Sequence, residues 1–179
     1  IYGPEGTKQT VDGIVQAMNP MYEDGGWILS KIQDSPAEKV KVVEITDGSK
    51  VDVDDIRVTV SKNTHFILAE KEGDTKIRGL SFRFDLPDRS IVYTGDTGPS
   101  DDVIRLARGA DVLVTEIMDA QVSLEKAKAV AAREDPNLLQ QLGIKRATPM
   151  LQEHFERQHL SPEEVGLMAK QADVKSLVI

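Results

Sequence analysis

Cysteine is absent from this 179-residue chain. Disulfides and thiolate metal sites are therefore excluded, and any metal ion must be held by imidazole and carboxylate groups. Long apolar runs are missing too: none approaches the roughly 18 residues a membrane-spanning helix needs. Positive charge is in short supply, with 22 Lys and Arg against 30 Asp and Glu and a formal net charge of −8. That balance argues against a broad surface for a phosphate backbone, while a local basic patch stays open. There is no glycine-rich phosphate loop, no Gly-x-Ser-x-Gly nucleophile elbow and no His-Glu-x-x-His helix. Histidine itself is scarce, at three residues: His65, His154 and His159.

What is present suits one globular domain with a real core, at 40% apolar and 29% charged residues. The chain opens on Ile1-Tyr2-Gly3-Pro4 without a Met and closes on an apolar strand-like segment, so it reads as an internal piece of a longer protein. Residues 7–18 carry Val11, Ile14, Val15 and Met18 at helical spacing, with Asn19-Pro20 as the expected stop. This apolar stripe suits either a homodimer contact or a cover for a sheet. Trp27-Ile28-Leu29 is expected in the core. From Val40 the period becomes two: a strand over 40–46, a tight turn at Asp47-Gly48 and a return strand at Val51-Asp52-Val53. Further antiparallel strands are expected through about residue 94, the apolar run His65-Phe66-Ile67-Leu68-Ala69 among them.

The pattern then alternates. A helix from Ser100 stops at Gly109, and a buried strand over 111–115 ends on Glu116. Residues 121–133 are helical by composition, and 136–149 are undecided. Ser161-Pro162-Glu163-Glu164 opens a last helix with Ser as N-cap, Pro at the first position and Glu at the third. Residues 174–179 read as a buried strand. A β-rich half followed by β-α-β-α-β gives a mixed α/β sheet with helices packed on it.

Three side chains fall where such sheets place chemistry. Asp96 ends an apolar strand in Tyr93-Thr94-Gly95-Asp96-Thr97, His65 lies just past the strand over 56–61, and Glu116 ends the strand after Asp96. His65 and Asp96 make a plausible pair of metal ligands from adjacent strand ends, but zinc generally takes three protein ligands and the spacing does not supply the third. His159 sits two residues before the N-cap Ser161. His154, in Leu151-Gln152-Glu153-His154-Phe155-Glu156-Arg157, reads as a helix-surface residue. Hydrolysis by a metal-activated water conflicts least with this inventory.

The order of the motifs carries more than any one of them. Ile1-Tyr2-Gly3-Pro4-Glu5-Gly6-Thr7, Asn63-Thr64-His65-Phe66, Phe82-Arg83-Phe84, Tyr93-Thr94-Gly95-Asp96-Thr97, Ala110-Asp111-Val112-Leu113-Val114-Thr115-Glu116 and His159-Leu160-Ser161-Pro162-Glu163-Glu164-Val165-Gly166 follow one another. This series resembles the metallo-β-lactamase-fold hydrolases, especially the ribonuclease Z-like branch. The resemblance implies an αββα sandwich, here a single partial domain over 1–179, with a two-metal site, usually zinc, iron or manganese being the other options. It makes His65 a ligand to one metal and Asp96 the carboxylate bridging both, with a hydroxide between them as attacking group. Glu116 and His159 correspond to a Glu and a His that assist proton transfer to the leaving group. The family's His-x-His-x-Asp-His signature and its last ligand His are not in this chain, which by itself is expected not to hold two metals.

For the substrate, the acidic balance and the lack of a long basic arm favour a small ester-type molecule over RNA. Only Lys31, Lys39, Lys41 and Lys50 are scattered where such an arm would lie. A ribonuclease Z-like phosphodiesterase and a noncatalytic binding module are the alternatives.

Overall fold

Among the described residues six strands share one sheet, in the order β3 (Lys50–Val53), β4 (Ile56–Lys62), β5 (Leu80–Asp85), β6 (Ser90–Tyr93), β7 (Val112–Val114) and β8 (Ser176–Val178). Neighbours from β3 to β6 are antiparallel, and β6, β7 and β8 run parallel. The computed structural model describes residues 1–23, 36–73, 78–131 and 147–179. They fall into two units, Ile1–Thr46 and Asp47–Ile179.

In the first unit β1 (Tyr2–Gly3) pairs parallel with β2 (Val43–Glu44), and α1 (Thr7–Glu23) and α2 (Pro36–Lys39) lie between them in sequence. Glu44 Oε1 accepts from the backbone N–H of Gly6, at 2.9 Å, and of Lys8, at 3.1 Å. It thereby satisfies donors that the first turn of α1 leaves free. The helix runs past its expected stop and carries Pro20 inside it. Gln16, whose carbonyl loses its partner there, is exposed, so water can take the place of the missing bond. The strand expected over 40–46 shrinks to β2, and Trp27-Ile28-Leu29 lies outside the described residues.

In the second unit the hairpin forms one turn later than the sequence suggested. Asp47-Gly48 does turn, with Gly48 at φ +78°, but the hairpin of β3 with β4, in the register Val53↔Ile56, is closed by Asp54-Asp55. Asp54 takes φ +54°, the left-handed region that such a loop requires and that Asp tolerates. The apolar run after His65 is a short helix, α3 (Ile67–Lys71), where a strand was expected. Four or five apolar residues cannot distinguish the two states, and Asn63-Thr64 turns the chain off the sheet first.

The β6–β7 half behaves as the alternation predicts. α4 (Asp101–Ala107) starts at Ser100, whose Oγ accepts from the Val103 N–H, and Gly109 at φ +66° follows its end. α5 (Ala120–Ala131), α6 (Ala147–Arg157) and α7 (Pro162–Ala172) come next; most of the undecided stretch 136–149 lies outside the described residues. Ser161 and Glu164 close a reciprocal capping box on α7, as their spacing indicated. Val92 and Leu113 from the sheet, Val103 and Leu106 from α4, and Val165 and Met168 from α7 form one buried cluster with Leu160. Fully burying side chains of this size stabilises by about 1.5–3 kcal/mol each. β8 is not buried: Leu177, Val178 and Ile179 are exposed on the outer strand of the sheet.

Asp111 pins the start of β6 to that of β7. One carboxylate oxygen accepts from Ser90 N–H at 2.7 Å and from Ser90 Oγ at 3.0 Å, and the other from Lys175 Nζ at 2.6 Å. Lys175 first, and then the Ser90 donors, lower its carboxyl from 3.8 to about 2. A group depressed on folding contributes stability above its unfolded value, and that contribution disappears as pH falls through the folded one. Acid unfolding should therefore steepen between about pH 4 and pH 2, and Asp111→Asn should flatten that limb in a pH series of thermal melts.

Candidate metal centre

Strand ends and one helix end deliver this site. Just past β4, Asn63 is buried, and its Nδ2 donates to Ser81 Oγ and to the Thr94 carbonyl, both at 3.2 Å. It thus ties β4 to β5 and to the exit of β6. Its Oδ1 accepts from the His65 N–H at 3.1 Å, which fixes where His65 leaves the backbone. The His65 ring then meets the other end of the site: Nδ1 lies 3.1 Å from the Gln158 carbonyl. A carbonyl only accepts, so Nδ1 carries the hydrogen and Nε2 presents its lone pair.

β6 exits through Thr94, whose N–H donates to the Val114 carbonyl at 3.1 Å and whose carbonyl accepts from Ser81 Oγ at 2.6 Å. Gly95 at φ +62° reverses the chain, a conformation L side chains rarely adopt. Asp96 is left exposed at the tip, while Thr97 turns back inside, fully buried. From there the Thr97 N–H donates to Glu116 Oε1 at 2.7 Å. Glu116 stands two residues past β7, where the Thr115 N–H donates to the Val178 carbonyl at 3.0 Å. Its carboxylate also takes His159 Nδ1, at 2.8 Å from Oε2 and 3.0 Å from Oε1. His159 is 7% exposed. It is held between Gln158 and Leu160, whose carbonyl accepts from the Met118 N–H at 2.8 Å.

The four residues singled out from sequence thus meet in one place. His65, Asp96 and His159 each offer one ligand atom, and these atoms lie within 4.8 Å of one another. Two imidazole nitrogens and a carboxylate oxygen are a donor set for zinc and similar divalent ions. Each ring is also oriented through its Nδ1–H, as metal-binding histidines usually are. The residues present fit one such ion.

His154 is not the helix-surface residue its surroundings in the sequence suggest: its ring centroid lies 4.9 Å from that of His159 and 5.7 Å from that of His65, so all three histidines of the chain converge. Only its position five residues before His159, on the last turns of α6, could have signalled this. α6 reaches the site because Gly98 has no side chain; an added Cβ would stand 2.1 Å from the Arg157 carbonyl oxygen. Gly98→Ala should therefore cost about 1–3 kcal/mol by overpacking, measured by urea unfolding. Gly166→Ala, with nothing within 4 Å of the added carbon, should not lose stability. Beside the histidines a cavity of about 630 Å³ opens, its apolar wall formed by Phe66, Leu68, Ala69, Met150 and Leu151.

The sequence matches the family described as the beta-lactamase superfamily domain over residues 23–179, and the chain belongs to that family. A putative ribonuclease Z of Mycobacterium tuberculosis (strain CDC 1551 / Oshkosh) is 29% identical over 119 residues, 66% of this chain and 48% of that protein. A ribonuclease Z of Haloarcula marismortui is 43% identical over 60 residues, covering 32% of this chain and 19% of that one. The chain spans about half the length, or less, of the curated relatives it matches. Among solved structures, the human short-form tRNase Z aligns over 99% of this chain and 58% of its own, with TM-score 0.52 at 17% identity. The metallo-β-lactamase-fold protein YhfI of Bacillus subtilis aligns over 99% and 49%, with TM-score 0.52 at 15% identity. The fold is of the metallo-β-lactamase type, a mixed α/β architecture, as the order of motifs implied. No helix among the described residues is long and apolar enough to cross a membrane.

Proposed function

We propose that this chain is part of a metal-dependent phosphodiesterase that cleaves RNA in the manner of ribonuclease Z. The observation that carries the chemistry is the 2.8 Å contact between His159 Nδ1 and Glu116 Oε2 beside His65 and Asp96. The curated relatives named ribonuclease Z support the substrate class. They offer no support to the small ester-type substrate that net charge favoured. Net charge describes the whole surface, whereas a phosphate is gripped locally. We read 1–179 as one partial domain, since the family match runs across both units.

In this reading His65 and Asp96 hold a divalent ion, with zinc the first candidate, while His159, the third residue of the group, is kept for proton transfer. When bound, the ion supplies electrostatic stabilisation of charge developing on a phosphoryl oxygen. Glu116 accepts the Nδ1 hydrogen of His159, which sets the tautomer and leaves Nε2 as the working nitrogen. A proton carried at Nε2 passes to the departing oxygen, and the Glu116 carboxylate stabilises the imidazolium before that transfer. The cavity beside His65 and His154 offers the substrate an apolar wall of Phe66, Leu68 and Met150 on one flank.

The test is a comparison of substrates, using a zinc-loaded protein that contains this chain. Cleavage of an RNA phosphodiester is expected. Turnover of a lactone or a β-lactam with no cleavage of RNA would overturn the reading.

A further inference from the structure

His154 has no part in the chemistry described so far, yet its hydrogen bonds constrain it tightly. The Gln158 side-chain amide donates through Nε2 to the His65 carbonyl, which fixes the amide's orientation and turns Oε1 toward His154 Nδ1. An amide oxygen only accepts, so His154 carries its hydrogen at Nδ1. His159 likewise carries its hydrogen at Nδ1, because the Glu116 carboxylate only accepts. Both remaining nitrogens are therefore lone-pair acceptors, and they face each other: His159 Nε2 and His154 Nε2 are 3.3 Å apart.

Two converging lone pairs repel unless something electron-poor lies between them. The separation indicates what fits. Nitrogen ligands about 2.0–2.1 Å from a tetrahedral zinc ion stand about 3.3–3.4 Å from each other. We propose that His154 and His159 form a second cation position, which takes a zinc-class divalent ion between their Nε2 atoms. Its donors differ from the His65–Asp96 pair, and water from the adjoining cavity completes the shell. Filling this position takes up the His159 lone pair and withdraws that residue from proton transfer. The position thus acts as a brake set by free metal concentration. Only this last consequence rests on the ribonuclease reading; the binding itself does not.

The test uses the 179-residue chain carrying His65→Ala and Asp96→Ala, so that the neighbouring pair cannot hold the ion. Zinc sulfate is titrated in and the bound ion examined by X-ray absorption. One ion per chain with two imidazole nitrogens is expected, and adding His154→Ala should weaken binding by at least about tenfold. Fewer than two imidazoles, or unchanged affinity after His154→Ala, overturns the proposal. The unmutated chain gives a second measurement should the variants fail to fold. On zinc addition the nitrogen-15 resonances of His154 Nε2 and His159 Nε2 should both move to the metal-bound range, and a His154 resonance that stays put overturns it. In the RNA assay, zinc beyond the amount needed for activity should suppress cleavage, with His154→Ala restoring it about tenfold. Absence of RNA cleavage, with zinc still bound by both rings, refutes the ribonuclease reading and leaves the cation position standing.

Discussion

Glu116→Gln should lower kcat for RNA cleavage by about 10²–10⁴-fold, although the substitution changes no volume. Glu116 Oε1 already accepts from the Thr97 N–H at 2.7 Å. The glutamine carbonyl would keep that bond, since only an oxygen can accept it. Its NH₂ group would then face His159 Nδ1, which must give up its hydrogen to become an acceptor. The hydrogen moves to Nε2, and the ring is held in the opposite tautomer without a carboxylate to stabilise its cation. His159→Ala should fall as far. A loss confined to KM with kcat unchanged would show that Glu116 serves binding rather than proton transfer.

Removing Asp96 should have the other large effect, on the metal rather than the proton. It is the one carboxylate in the group of His65, Asp96 and His159, and it sits exposed at the tip of the turn. An anionic oxygen offsets the charge of a divalent ion, which neutral imidazoles cannot do. Asp96→Asn should weaken zinc binding by about 100-fold or more, beyond the range for outer-shell changes, as measured by competition with a chromophoric chelator. Stability of the metal-free protein should hardly change, because the Asp96 side chain is exposed. Unaltered affinity would remove Asp96 from the centre.

His65, Asp96 and Glu116 were legible as neighbours because each follows a strand end, where α/β sheets place chemistry. His159 was joined to them by the order of the motifs and not by a backbone rule. His154 was illegible for the converse reason. It lies within a helix, amid charged neighbours, and what brings it inward is the approach of the Arg157 carbonyl to Gly98, a contact between segments almost sixty residues apart in the chain. The hairpin shows the same limit at short range. Asp47-Gly48 turns as its composition indicates, yet the hairpin is closed at Asp54-Asp55, where β3 joins the sheet that β4 forms with β5.

Thr97 has a consequence of its own. It adjoins Asp96 on one side, and on the other its N–H holds the carboxylate that orients His159. Loading of the metal and readiness of the proton donor thus share one peptide unit and are thermodynamically linked. If zinc shifts the equilibrium between the two His159 tautomers by some factor, those tautomers must differ in zinc affinity by the same factor.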